Sequence, residues 1–379
     1  MSAAGAGQRV LVIGGTGPTG PHIVGGLLER GYEVTVLHRG SHEIPELAAV
    51  EHVHADPHFR ESVEDALGSR RFELVVATYG RVRHVADALA GSCDTFVSVG
   101  GAPVYPGYHD PHTLWPHGMP IAATEAAADR GRVPDAEESA GARFSRLIRE
   151  AERHVMQLHE QGAFRATIFR YPAIYGARQV YPREWSIIRR VLDGREYIIV
   201  PDAGLTLLTR CSAQNAAHFL LSAVDRPEVA AGEVFNAADL QQYSLAQWIQ
   251  LTAVAAGREL RLVSMPFELA GPGRALFPLP TTAHGLLSPQ KAVDLLGYHE
   301  PVSASAALGE AVRWWIENPP DSRVLKNYLD TFDYAEEDRV VAAYRAATKE
   351  LLESQAPAGT AAHPYAHPKQ PGGTDHRQR

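Results

Sequence analysis

The stretch VLVIGGTGPTG, residues 10–20, decides how the rest of the chain is read. Its apolar run ends in glycines, as a strand buried on both faces should. Gly14, Gly17 and Gly20 follow in GxxGxxG spacing. The first allows a tight turn, the second lets the backbone approach a phosphate, and the third lets a helix pack close to the strand. PHIVGGLLERG then reads as that helix, with Pro21 in its first turn and Gly31 at its C-terminal stop. A helix start offers free N–H groups and a positive dipole end to an anion. The order strand, glycine loop, helix therefore predicts a dinucleotide site around Gly14, Thr16, Gly17, Pro18, Thr19 and Gly20.

Outward from this loop the alternation continues. EVTVLHRG, VEHVHAD, FELVVATYG, TFVSVGG and FRATIFRYP read as strands, with ESVEDALGS and VRHVADALAG as helices between them. This succession predicts an α/β fold, a Rossmann-type doubly wound parallel sheet with helices on both faces. Residues 102–140 form a long loop expected to border the site. From Phe144 to Gln161 apolar residues recur at helical spacing, which predicts a helix packed on the sheet. Past about residue 176 the pattern is mixed. We expect residues 1–176 to bind the dinucleotide and residues 177–353 to be mainly a smaller substrate lobe, from which the chain can return to the sheet. The polar, Pro- and Gly-rich residues 354–379 are expected to be disordered.

Composition narrows the function classes. A net charge of −8 over 379 residues argues against a nucleic-acid surface. Cys93 and Cys211 stand far apart, with no disulfide framework or CxxC metal site. The first residues lack the features of a signal peptide, and no apolar run approaches the ~20 residues that span a bilayer. The expectation is a soluble, cytoplasmic protein acting on a small molecule.

The second strand ends in LHRG. NAD sites place an acidic residue there, whereas an arginine suits the 2′-phosphate of NADP. His38 and Arg39 occupy that place with no acid, so NADP is favoured over NAD. Asp56, ending the third strand, is a candidate for the adenine amino group. His52, His54 and Asp56 share one strand face by their period of two, but no further ligand is near in sequence, and no metal is expected.

By its motifs the chain resembles the extended short-chain dehydrogenase/reductases of the NAD(P)-dependent epimerase/dehydratase type. The resemblance runs over about residues 8–318 and rests on GGTGPTG, HAD, FVSVGGAPVYPG, RYPAIYGARQ, LTRCSAQNAAHFLLSAVD and GEVFNAADLQQYSLAQW in that order. It implies catalysis by a Tyr-x-x-x-Lys pair on the helix after the fifth strand, with a Ser or Thr near that strand's end. Alignment with GARFSRLIREAE, residues 141–152, puts Phe144 at the tyrosine and Ile148 at the lysine, with Glu152 in step. Gly100 or Gly101 stands at the serine position, with Ser98 two to three residues earlier. A tyrosine of pKa about 10, lowered by the lysine, would move the substrate proton. Phe144 and Ile148 can only pack, and the plain expectation is that they extend the core. The resemblance also implies that Tyr171 and Pro172 line the nicotinamide side, and that a homodimer through residues 150–160 is possible.

Replacement chemistry belongs at the carboxyl ends of the strands. Tyr105 is the first candidate acid, since it matches the family's VYG tyrosine. His109, with Asp110 beside it, is the second, and Tyr79 is a third. Tyr108, Tyr175, Arg178 and Arg210 are candidate substrate contacts, the arginines for an anionic or sugar-nucleotide group. The favoured function is an NAD(P)-dependent oxidoreductase, epimerase or dehydratase with a nonstandard acid/base. The alternatives are a dinucleotide-binding sensor or scaffold without redox turnover, and a nonredox lyase or isomerase on the same fold.

Overall fold

The computed structural model describes residues 5–129, 139–277, 279, 281–326, 328–355, 359, 368 and 370–374. The strands in chain order are β1 (Arg9–Ile13), β2 (Glu33–His38), β3 (Glu51–His54), β4 (Phe72–Ala77), β5 (Cys93–Gly101), β6 (Arg165–Tyr171), β7 (Ala173–Tyr175), β8 (Tyr197–Pro201), β9 (Arg210–Ser212), β10 (Glu233–Asn236) and β11 (Arg261–Met265). Seven of them form one sheet in the order β3-β2-β1-β4-β5-β6-β10, with every pairing parallel. The strand order reverses between β1 and β4, and in such sheets the crevice outside that point takes the ligand. The other strands pair as β7 with β9 and β8 with β11.

The helices are α1 (Gly20–Glu29), α2 (Arg60–Leu67), α3 (Val82–Leu89), α4 (Ala140–Glu160), α5 (Trp185–Leu192), α6 (Ala213–Val224), α7 (Pro227–Ala230), α8 (Leu245–Ala255), α9 (Gln290–Leu296), α10 (Ala304–Glu317), α11 (Ser322–Leu325) and α12 (Tyr334–Glu353). Alternation along β1 fixes the layers. Val10 and Val12 join a core built with α1 and α6, while Leu11 and Ile13 join a second core with α2, α3 and α4 on the opposite face. The chain does return to the sheet, because β10 hydrogen-bonds in register beside β6.

Several helix ends follow from local chemistry. Ser139, Ser212 and Ser303 cap α4, α6 and α10 through their hydroxyls, and Ser244 with Gln247 makes a full capping box on α8. Residues up to Asp333 form one compact unit. Residues 334–379 form a second, whose main described element is α12. The tail expected to be disordered from Ser354 lies mostly outside the described residues, as do residues 130–138 of the long loop. No helix among the described residues is long and apolar enough to cross a membrane.

Candidate active site

The glycine loop is built as its spacing requires. Gly14 and Gly15 hold φ of 105° and 84°, which favour glycine. A Cβ on Gly20 would lie 1.7 Å from the Gly15 carbonyl oxygen, so only glycine lets α1 start this close to β1. A Cβ on Gly17 would meet nothing within 4 Å, leaving open space beside the backbone. Thr19 precedes α1 without a side-chain cap; Gly20 donates its N–H to the Gly17 carbonyl at 3.2 Å and Pro21 has none, which leaves the His22 N–H of the first turn for a ligand. These features fit a bound pyrophosphate.

A groove of about 850 Å³ runs along this loop. It gathers Gly14, Thr16, Gly17, Pro18, Thr19, Gly20, His38, Arg39, Tyr79 and Arg178 from the expected site residues, together with Tyr171. The Arg39 guanidinium lies 5.6 Å from the centre of the Tyr79 ring. Arg178 donates to Glu46 at 2.7 Å and faces Trp314. The groove also includes Trp314 and Trp315 of α10, which the sequence reading missed; the WW pair near a helix end was the available signal. Asp56 and Pro172 are not among its lining residues. The Asp56 carboxylate instead accepts from the backbone N–H and ring of His58, and the backbone bond holds its pKa below the usual range.

A second cavity, of about 700 Å³, shares Val99 with the groove. Its walls are Gly80 to His84 on one side, Ser98 to Gly101 at the strand end, and Phe144, Leu147, Ile148 and Glu152 of α4. Here the expected core packing is corrected for Phe144, while Ile148 is half-buried and packs on a small core that includes Ala102, Val104 and Tyr105. Phe144 and Leu147 are 51% and 43% exposed, because the first turns of α4 project past the sheet; Val155, farther along, is the buried contact. The replaced positions are cavity wall. Arg83 and His84 fall in VRHVADALAG, read above as an ordinary helix, with Arg81 just before it, and nothing in their sequence distinguishes them.

The first candidate acid is also corrected. Tyr105 is 1% exposed; its hydroxyl donates to Asn236 at 2.5 Å and accepts from Arg170 at 3.1 Å. Burial raises its pKa further. Arg170 in turn forms a buried ion pair with Glu152 at 2.8 Å. Burial opposes the charge of Arg170, but the Glu152 carboxylate outweighs it and raises its pKa. This network ties α4, β6, β10 and the loop after β5 together, and leaves Tyr105 no free proton.

His109 lines neither large cavity. Its Nδ1 lies 3.1 Å from the Ser145 hydroxyl, and burial lowers its pKa. Asp110 does not partner it; that carboxylate accepts from the Ser139 hydroxyl at 2.6 Å. Tyr108 stacks edge-on with His109, and burial raises its pKa. Tyr175 and Arg210 meet around a cavity of about 20 Å³, room for a single water. The Tyr175 hydroxyl donates to Asp239 at 2.7 Å, and Arg210 lies 4.6 Å from the Trp248 ring centre, its pKa pushed down to about 10 by burial. Tyr175 is an interior group here, and Arg210 is half-buried beside it.

Contrary to expectation, further ligand-type side chains do stand beside His52 and His54. Asp56 leaves the set for His58, but His38 and Glu43 join His52 and His54, with one ligand-type atom from each within 4.8 Å of the others. Burial, then the neighbouring His52 and His54, keep the His38 pKa below its usual value.

Residues 10–102, which hold the glycine loop and the first five strands, match the model of one family along their length. That model is the NAD dependent epimerase/dehydratase family's. A curated relative is a 3-diazoavenalumate denitrifying reductase from a Streptomyces species, 28% identical over 256 residues, covering 64% of this chain and 79% of that protein. Among solved structures, an epimerase from Methanothermobacter thermautotrophicus superposes with a TM-score of 0.65 at 18% identity, over 86% of this chain and 96% of its own. A UDP-glucose 4-epimerase from Thermotoga maritima, solved with UDP-glucose, gives 0.64 at 17% identity over 82% and 100%. Such structural likenesses establish the fold. Family segment and relative together indicate an NAD-dependent, oxidoreductase-like protein.

Proposed function

We propose that the chain is a nicotinamide-dinucleotide-dependent reductase for an electrophile that needs no proton from the enzyme. The observation that carries this reading is the wall formed by Phe144 and Ile148 beside the strand-end residues Ser98 to Gly101. Gly14 to Gly20 and the start of α1 would hold the pyrophosphate. Arg39, with no carboxylate at the end of β2, favours NADP over NAD. When bound, the dinucleotide supplies a hydride.

A carbonyl that takes up hydride becomes an alkoxide and calls for an acid at the oxygen. Phe144 and Ile148 cannot provide one, and Tyr105 is committed to Asn236 and Arg170. A diazonium-type arene has no such need. Hydride forms the new C–H bond, the C–N electron pair leaves with dinitrogen, and ArN2+ plus hydride gives ArH and N2 in balance. The Streptomyces relative's name specifies a diazo substrate and a denitrifying reduction, which supports this class. Phe144, Leu147 and Ile148 offer an aromatic ring an apolar face. Arg81, Arg83 and His84, opposite, suit an anionic substituent.

The test is nucleotide titration followed by turnover with an aryl diazonium carboxylate, aldehydes, ketones and sugar nucleotides. Expected are saturable NADPH binding and one dinitrogen released per NADPH oxidised, above the protein-free rate, with the carbonyl compounds inert. Fast carbonyl reduction would overturn the proposal. Saturable binding without turnover on any compound would favour a nonredox dinucleotide-binding protein.

A further inference from the structure

From the cluster at the β2–β3 edge we infer a binding site for a divalent transition-metal ion, held by His38, Glu43, His52 and His54. The four side chains come from two adjacent strands and the loop between them, and their ligand atoms fall within 4.8 Å of one another. Imidazoles that share one ion at metal–nitrogen distances of about 2 Å have ring centres about 5 Å apart. The ring centres here are 5.0 Å for His38 and His52, 5.0 Å for His38 and His54, and 6.5 Å for His52 and His54. Glu43 reaches His54 Nε2 at 3.4 Å.

The protons can be placed from the surroundings. His52 Nε2 donates to the Leu47 carbonyl at 2.8 Å, which leaves Nδ1 with its lone pair toward the cluster. That is the backbone-carbonyl anchor typical of a metal-bound histidine. Gly40 N–H donates to His38 Nδ1 at 3.1 Å, so His38 Nε2 carries the proton that bridges to His52 Nδ1, 2.7 Å away. The ion replaces this bridging proton, which passes to His38 Nδ1, and the Gly40 amide turns to water. The loop from Arg39 to Glu43 is exposed throughout and can make that turn. Imidazole nitrogens with one carboxylate suit Zn2+, Co2+ or Ni2+ over Ca2+ or Mg2+. The ion would fasten the loop that carries Arg39 to the edge strand β3.

The test uses chelator-treated full-length protein, titrated with Co2+ by visible absorption and with Zn2+ by calorimetry. The chain has 18 histidines, so site variants are the essential control. Expected are one ion per chain with micromolar or tighter affinity, and a rise in Tm of a few degrees with Zn2+. In H52A and in H54A, affinity should fall at least tenfold and the Tm rise should vanish. H54A alters an exposed side chain, so a folding failure would not mask the result. Affinity unchanged in both variants, or no saturable uptake by the wild type, would overturn the inference.

Discussion

Single residues carry the cofactor preference and remove one acid. Arg39 borders the groove with its guanidinium toward the Tyr79 ring, and under the proposed function it would hold the 2′-phosphate of NADP. Arg39→Ala should weaken NADPH binding tenfold or more and leave NADH within about twofold, about 1 kcal/mol or more of selectivity; equal losses in fluorescence titrations would refute the assignment. Tyr105 points the other way. Its hydroxyl partners are Asn236 and Arg170, both buried, so Tyr105→Phe should lower stability by about 1–3 kcal/mol in chemical denaturation and leave turnover nearly unchanged. A turnover loss of about a hundredfold would restore Tyr105 as an acid. Arg39's place at the groove was legible because the end of the second strand in this fold borders the dinucleotide. Tyr105 was misleading, because a loop tyrosine and a buried one look alike until Arg170, sixty-five residues later in sequence, is folded against it.

At the level of elements, α4 explains the site. Its apolar spacing was legible, but the spacing cannot say where the sheet beneath the helix ends. Val155 packs on the sheet, Glu152 pairs with Arg170 at its rim, and Phe144 lies beyond it. Phe144→Tyr with Ile148→Lys would put a phenol and an ammonium on the cavity wall one turn apart, where the lysine charge lowers the tyrosine pKa. We expect this double variant to gain reduction of simple aldehydes, measured as NADPH consumption, with a rate that depends on the tyrosine's ionisation. A variant that folds, binds NADPH and still leaves aldehydes untouched would mean that this wall does not face the reacting atoms.

For the molecule as a whole, the two cores exclude water from both cysteines. Cys93 is 3% exposed and Cys211 0%. Burial pushes the Cys93 thiol up to about 12 and raises that of Cys211 well above its usual value. A thiolate is the reactive form, so native protein should resist thiol reagents through mildly alkaline pH and label fully on unfolding. Labelling should therefore track the denaturation curve. Rapid native labelling at neutral pH would show that one of these cores opens locally.

The sequence by itself determined the parallel sheet, the glycine loop at its switch point and the absence of a proton-bearing side chain at positions 144 and 148. Those depend on period, on backbone freedom at Gly14 and Gly20, and on residue identity, all of which are local. Only the tertiary structure decided that Phe144 and Ile148 line a cavity, that Tyr105 and Tyr175 are interior, and that His38 and Glu43 stand beside His52 and His54. Each of those depends on contacts that only strand pairing and packing create, where desolvation sets what a side chain can do.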